Sequence, residues 1–455
     1  MAIKYSVLIF LILIIPAVSA EPDNYDNYSV LEIYTKLSSS IYTSETGRNP
    51  IIDELDVNLT FLPRADGDRQ LLVARDFSAD PEAESLETND YLYLSWKDPR
   101  EQQFFYEVDA KLKIINRLNK IKGGVNFPLD SVPSEAASYL APTEFIDFNQ
   151  EIRDKASDIV AGETDYYHVI HKMAAWVEQN IKYDLNTLTS EAVQKSSWVY
   201  ENKVGVCDEL TNLYISFLRS IGIPARFVGG QVYSNSDKQF GNHGWAEVFY
   251  PGVGWIPVDV TFGQIGWIDA THVKFKESMD SGDPSAMYRW KTSDIDFKRN
   301  PIAIKTDITK ATGDTEKHVG IMVEPMKKVV GPGSYVPVIV TIANPNDYYV
   351  PLQLQVTKAP EVYPKDGSRQ MVLMSPLEEK ELYFIIKIPD DVKDNFVYTT
   401  MIEVRSAFGS IAQAEVEYEG GAEVMGKEWA EDQVRRLSPV TDKEFLPDIR
   451  LNCSF

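Results

Sequence analysis

The feature that most restricts the fold of this chain is a change of hydrophobic rhythm, from a period of two residues to one near 3.6 and back again. Between residues 51 and 121 apolar side chains alternate, as in Leu55, Val57, Leu59 and Phe61 and again around Tyr91 and Tyr93, and turn clusters such as 63–68 cut the runs into strands. Near Asn149 the spacing lengthens. Ile152, Ala156 and Ile159 mark one helix, and Val169, Ile170, Met173, Val177 and Ile181 mark a second, for which Thr164 is the expected cap. A third helix is expected to begin at or just before Cys207, because Leu210, Leu213, Tyr214, Phe217, Leu218 and Ile221 share one face and Gly222 and Pro224 end it. Strands follow at once at 226–233, 244–250 and 255–260, the last two joined by the turn at 251–254. Helices packed on consecutive strands, with strand-rich segments on either side, make this an α+β protein.

The rest of the chain divides around that centre. Residues 21 to about 45 are polar and rich in tyrosine without a clear period, and read as a lead-in or partial helix. With them, 21–148 forms an N-terminal β-rich domain and 149–280 the central core. Residues 281–318 look like a polar linker. Short strands at 338–342, 352–356, 382–388 and 411–418, separated by Pro, Gly, Asn and Asp turns, predict an immunoglobulin-like β-sandwich over 319–420. A charged tail, 421–455, contains a helical pattern around 423–436.

A chain of 455 residues with 44% hydrophobic side chains is long enough for two to four domains, each with a core of its own. Its first twenty residues read as a secretory signal: Lys4, an apolar run over 6–18, then the small residues Val18-Ser19-Ala20. Cleavage there gives a soluble exported protein, and retention gives one tethered to the outer membrane face. No other stretch is apolar enough to span a bilayer. The net charge of −23 argues against nucleic acid and anionic lipid as partners, because both need a basic face. Asn27, Asn58 and Asn452 each open an N-glycosylation acceptor triplet, which matters only outside the cell. Two cysteines, Cys207 and Cys453, are too few for a disulfide framework, so packing must stabilise the fold and each thiol needs its own explanation.

Cys207 stands where a thiol becomes a nucleophile. The thiolate is favoured at a helix N-terminus and beside an imidazole, and Gly205 just before the helix lets a substrate approach the backbone while the Cys207 amide is free to donate to an oxyanion. His243 opens one strand and Asp259 ends the next, so a single hairpin edge can hold an imidazole between thiol and carboxylate. Pairing Tyr250 with Trp255 would put His243 and Asp259 on opposite faces. The arrangement therefore requires a bulge, or a turn one residue longer or shorter. Asp208 and Glu209 in the first turn read as caps.

The blocks Gly205-Val206-Cys207-Asp208-Glu209, Gly222-Ile223-Pro224-Ala225-Arg226, His243-Gly244-Trp245-Ala246-Glu247-Val248 and Gly254-Trp255-Ile256-Pro257-Val258-Asp259, in that order, resemble the transglutaminase-like superfamily over about residues 150–275. The resemblance includes the upstream helix with Trp176 and the triplet Ile181-Lys182-Tyr183. It implies a papain-like core with Cys207 as nucleophile, His243 as general base and acid, and Asp259 as the residue orienting the histidine. It also implies a second oxyanion donor upstream, for which Gln194, Trp198 and Asn202 are candidates. Gly244 stands where many relatives have alanine, and is expected to loosen the strand without touching the chemistry.

Other candidates read as structural. His168 and His171 lie three apart on a helix with no third metal ligand, His272 and His318 have no constellation, and Trp245, Trp255 and Trp267 fit core packing better than a substrate wall. No phosphate-binding glycine loop, metal cluster, nicotinamide or flavin fingerprint or calcium loop is present in the sequence, so no cofactor is expected. The expected function is hydrolysis of amide bonds in a protein or peptide substrate through a thioester. Transglutaminase cross-linking and a non-catalytic cell-surface binding module are the alternatives.

Overall fold

The computed structural model describes residues 24–187, 193–364, 367–393 and 395–437. The signal-like segment 1–20 and Cys453 with its acceptor triplet lie outside them.

The helices Gln150–Ile159, Tyr166–Asn180, Ser196–Asn202 and Cys207–Ser220 pack on an antiparallel sheet ordered Gln264–Ile265, Gly254–Asp259, Gln239–Tyr250, Ala225–Ser234, His272–Ser278. The helix that starts at Cys207 touches the other three and two of the strands, so it is buried all round rather than along one stripe. Its polar residues must then find partners inside. Thr211 donates to the carbonyl of Gly244 (3.1 Å), Ser216 to that of Asp147 (2.6 Å), and Arg219 to those of Ala141, Ala225 and Met279. The cap of the Tyr166–Asn180 helix is Asp165, not Thr164: the Asp165 carboxylate accepts from the amides of Tyr167 (2.8 Å) and His168 (3.1 Å).

Two expectations about the N-terminal half are corrected. The tyrosine-rich lead-in is one long strand, Tyr28–Glu45, whose inward positions are Leu31, Ile33, Thr35, Leu37, Ser39 and Ile41. Its period was hidden because two inward residues are polar. Thr35 is bonded to Thr306 at 2.7 Å, and Ser39 donates to the carbonyl of Asn300 at 2.9 Å. The supposed linker 281–318 is not a linker. Its strands Ala286–Ser293, Ile295–Arg299 and Ala303–Asp314 turn back to pair with Ile51–Leu59 and with Tyr28–Glu45, completing both N-terminal sheets. Their outer faces meet water, so alternate positions are charged and the segment reads as polar.

Strands Gly320–Pro325, Tyr335–Ala343, Glu379–Lys387 and Val362–Tyr363 form one sheet of a C-terminal β-sandwich. Val329–Val330, Ile411–Glu419, Val397–Ser406, Val350–Lys358 and Arg369–Met374 form the other, and the two enclose one apolar core. The tail helix is Lys427–Leu437, anchored on this sandwich through Ala430 and Val434.

Both flanking domains press on the central sheet. Gln70 of the N-terminal domain brackets Lys274, accepting from its amide (2.9 Å) and donating to its carbonyl (2.7 Å), while the Lys274 ammonium meets Asp66, Glu247 and Glu277. On the other side Trp267 lies 4.4 Å from Phe408, and the Tyr349 hydroxyl donates to Asp165 (2.9 Å). Among the described residues no helix is long and apolar enough to cross a membrane.

Candidate active site

Cys207 is the first residue of its helix, with Val206 as the cap. The turn before it is locked by Glu209, whose carboxylate accepts from the amides of Val206 (2.8 Å) and Gln194 (3.0 Å), so this residue does cap. Glycine suits position 205, where a β-carbon would crowd Glu209 at 3.0 Å. Lys182–Tyr183 pairs in parallel with Val204–Gly205, which sets Tyr183 beside the same turn. Cys207 is half-buried and forms no disulfide among the described residues.

The hairpin uses the shorter turn. Tyr250 pairs with Gly254, and Gly252 and Gly254 adopt positive φ (80° and 101°), a region in which glycine carries no steric penalty. That register puts Asp259 opposite Trp245 and on the same face as His243, two residues away. The Nε2–H of His243 donates to Asp259 Oδ2 at 2.5 Å, with both groups buried. The other oxygen of Asp259 accepts from the amides of Thr261 (2.8 Å) and Phe262 (3.1 Å), which fixes the carboxylate's rotation. With Nε2 committed, Nδ1 is left for the Cys207 thiol, which interacts with the imidazole. The ring is further confined by Trp245, stacked at 6.2 Å, and by the edge of Phe262 at 5.3 Å.

Burial opposes a charge on His243, but the Asp259 carboxylate and hydrogen bonds to Asp259 and Cys207 outweigh it and push the imidazole up to about 9. Burial would likewise raise Asp259, yet His243, and then His272, hold it well below the usual carboxylate range.

His272, which had no visible constellation in the sequence, belongs to this cluster. It is fully buried, with Nε2 at 3.0 Å from Asp259 Oδ2 and Nδ1 at 3.2 Å from Asp269 Oδ1, and it too is pushed up to about 9 against burial, by Asp269 first. No short motif could have revealed it. His272 begins a strand that joins the far side of Ala225–Ser234, so it meets His243 only across an intervening strand. Between them Gly230 leaves the space open: a β-carbon there would lie 2.9 Å from the Trp245 ring and 2.0 Å from the Val273 carbonyl oxygen.

Because both imidazoles are raised, each contributes stability that is fully present below the ordinary histidine value of 6.5 and is lost as pH climbs through about 9. Asp259, being depressed, adds stability that is lost only in acid. The cluster's contribution to the urea midpoint is therefore expected to be flat from about pH 5 to 6.5 and to fall steadily above it, while below 6.5 the buried, uncharged His171 and the raised Asp26 work in opposite directions. A flat profile to pH 9.5 contradicts the charged cluster.

Two more residues escaped the sequence reading. Asp208 turns toward the site rather than only capping the helix: the Cys207 thiol donates to Asp208 Oδ1 at 3.6 Å, and burial raises this carboxyl while His243 and the thiol oppose the shift. The Tyr183 phenol interacts with both the thiol and the backbone amide of Cys207, and burial followed by the charges of Cys207 and Asp208 pushes it up to about 12. The three upstream candidates make the following contacts. Gln194 bonds Glu209 through its backbone, Trp198 packs on the core, and the Asn202 amide donates to the Trp198 carbonyl (2.9 Å).

Gly244 lies against the site. A β-carbon at this position would sit 2.5 Å from Asp208 Oδ1 and 2.4 Å from the Phe227 ring. Gly244→Ala is expected to destabilise the fold by about 1–3 kcal/mol in urea titration, as overpacking does. By displacing Asp208 it should also change the rate at which iodoacetamide alkylates Cys207.

The remaining candidates do not join the site. His171 is buried and pulled down to about 3 by burial, and His168 packs on Tyr349. His318 bonds the Tyr348 hydroxyl (3.0 Å), and Trp255 stacks on Arg226 (4.4 Å). Among the described residues one trio could converge on a metal ion, His243, Asp259 and His272, but these atoms already hydrogen-bond one another.

Comparison with known proteins fits this geometry. Residues 153–260 match the family model described as the transglutaminase-like superfamily. The chain is 35% identical over 79 residues to the uncharacterized protein YebA of Bacillus subtilis, a stretch that is 14% of this chain and 11% of that protein. A structure from Cytophaga hutchinsonii, named as a candidate cysteine protease, aligns with 62% of this chain and 94% of its own at 15% identity and a TM-score of 0.44. Red sea bream transglutaminase aligns over 81% of this chain and 78% of its own at 11% identity and a TM-score of 0.23. With the helix opening on Cys207 and the hairpin carrying His243 and Asp259 both inside the matched segment, residues 153–260 are a transglutaminase-like superfamily core, set between β-rich flanking domains.

Proposed function

We propose that the protein is an exported thiol enzyme that hydrolyses amide bonds in a protein or peptide substrate. The observation that carries this reading is the 2.5 Å bond from His243 Nε2 to Asp259 Oδ2, which leaves Nδ1 for a thiol at a helix N-terminus. The proton shared with the thiol rests on His243 Nδ1, which the Asp259 carboxylate supports as an imidazolium, and in the first step the sulfur attacks the carbonyl carbon. The oxyanion is met by the Cys207 amide and by the Tyr183 hydroxyl, which supplies the side-chain donor. As the C–N bond breaks, Nδ1–H protonates the leaving amine and a thioester remains on Cys207. Water, deprotonated by the same nitrogen, then releases the acid and restores the thiol.

Export rests on the signal-like sequence at 1–20, and the acceptor triplets at Asn27, Asn58 and Asn452 become glycosylation sites only with it. We read the sandwich as immunoglobulin-like and as a module that contacts partners or substrate. Incubating the protein with casein, with and without a labelled primary amine, tests the reaction. Peptide release supports hydrolysis, amine incorporation without release means transamidation, and neither product, with no acyl adduct on Cys207, means a binding module.

A further inference from the structure

Behind the His243–Asp259 pair lies a second pair of the same kind, and we propose that His272 and Asp269 are positioning residues that grip the Asp259 carboxylate from its other side and limit how strongly it retains a proton on His243. This deepens the thiol-enzyme reading and rests on it. Asp259 Oδ2 accepts from two imidazoles at once, His243 at 2.5 Å and His272 at 3.0 Å, while Oδ1 is held by two backbone amides. A carboxylate with both oxygens spoken for cannot swing away when His243 takes up a proton and turns toward the leaving group.

His272 has a carboxylate at each ring nitrogen, so both nitrogens donate and the ring is an imidazolium. From Asp269 through His272 and Asp259 to His243 the charges alternate in sign, and all four side chains are buried. The cation at His272, with its ring centre 5.6 Å from that of His243, offsets part of the Asp259 charge. His243 is thereby left acidic enough to give its proton up.

The second pair is built as carefully as the first. Asp269 accepts from the Thr271 amide (2.8 Å) and hydroxyl, and its other oxygen accepts from Gln264 Nε2 (2.6 Å). Arg69, reaching in from the N-terminal domain, donates to the carbonyls of both Asp269 (3.0 Å) and His272 (2.9 Å). Asp26, from the same domain and held by Asn235 (2.7 Å), also faces this pair, and burial and the charge of Asp269 push it up to about 7; Asp66 and Glu247 act on Arg69 from the same side. The rings of Trp245 (5.5 Å) and Phe262 (5.7 Å) close the other faces. The N-terminal domain thus holds the second pair in place.

The chain has only five histidines, so labelling them with carbon-13 at Cε1 and following each resonance with pH tests the idea directly. In His272→Gln the His243 titration should move up by about one pH unit, because a nearby cation is gone. Casein hydrolysis should fall about tenfold in kcat with little change in KM, an effect of the size outer-sphere partners show elsewhere. In Asp269→Asn the His272 titration should move down by a unit or more. Unmoved titrations in both variants, even with a lowered melting temperature, overturn the proposal and leave His272 a packing residue. Should His272→Gln not fold, Asp269→Asn decides alone. A wild-type Cys207 that forms no acyl adduct would instead sink the enzymatic reading, with the histidine titrations still deciding this one.

Discussion

Cys207→Ala should abolish turnover, by at least roughly a thousandfold, and leave the fold untouched. The thiol contributes little to packing: it is half-buried at the head of its helix, and alanine suits a first turn as well as any residue. What disappears is the only atom in the cluster able to form the thioester. His243, Asp259 and Tyr183 would remain in place around an empty position, so the loss reads chemistry alone. Mass spectrometry after exposure to an acyl electrophile should show the adduct on the Cys207 peptide of the natural protein and none on that peptide in the variant. A melting temperature unchanged within a couple of degrees completes the result. An adduct confined to another residue, with turnover intact in Cys207→Ala, would remove Cys207 from the mechanism.

Asp259→Asn should cost nearly as much activity, for a different reason, and should cost stability as well. The oxygen of the substituted side chain could still accept from the amides of Thr261 and Phe262, which turns its NH2 group toward His243. That group donates, so His243 Nε2 must accept and its proton moves to Nδ1, the nitrogen that faces the thiol. Without a carboxylate to support its cation, His243 rests neutral with hydrogen on Nδ1, which then has no lone pair to take the proton of sulfur. The equivalent change in a serine protease, a worked case of this tautomer effect, lowers kcat about ten-thousandfold, and a loss of about a thousandfold or more is expected here. The same substitution leaves two buried imidazoles facing one carboxylate in place of two. At neutral pH one of them should stay uncharged, and stability should fall by about 3–5 kcal/mol, the range seen when one partner of a buried ion pair is removed. Urea titration and casein hydrolysis on one preparation measure both. Activity within tenfold of the natural protein would mean that Asp259 does not set the tautomer.

Much of the centre was legible in the sequence because its signals are local. Cys207 follows a glycine and opens a periodic helix, and the placement of His243 and Asp259 reduced to a question of parity, which Tyr250 pairing with Gly254 answers. What stayed hidden depends on contacts between distant segments. His272 joins the site through a strand that pairs on the far side of Ala225–Ser234, and Tyr183 through a two-residue parallel pairing with Gly205. The role of Gly244 is visible only once Asp208 and Phe227 are seen to occupy the space a methyl group would need. The return strands at 286–314 escaped for the opposite reason. Their composition resembles a linker because one face is wet, and only the pairing of Tyr28 with Asp314 at one end and of Ile51 with Ser293 at the other reveals their place.

Those return strands bear on how the protein is made. Tyr28 and Asp314 are neighbours in space but lie 286 positions apart in the chain, so the N-terminal sheets cannot close until the whole transglutaminase-like segment has left the ribosome. Until then Tyr28–Glu45 presents an unpaired edge, the kind of surface that invites wrong partners during slow, topologically distant assembly. A nascent chain stalled before residue 286 should therefore need a chaperone to remain soluble, and shortening the gene from its 3′ side should not yield a free-standing N-terminal domain.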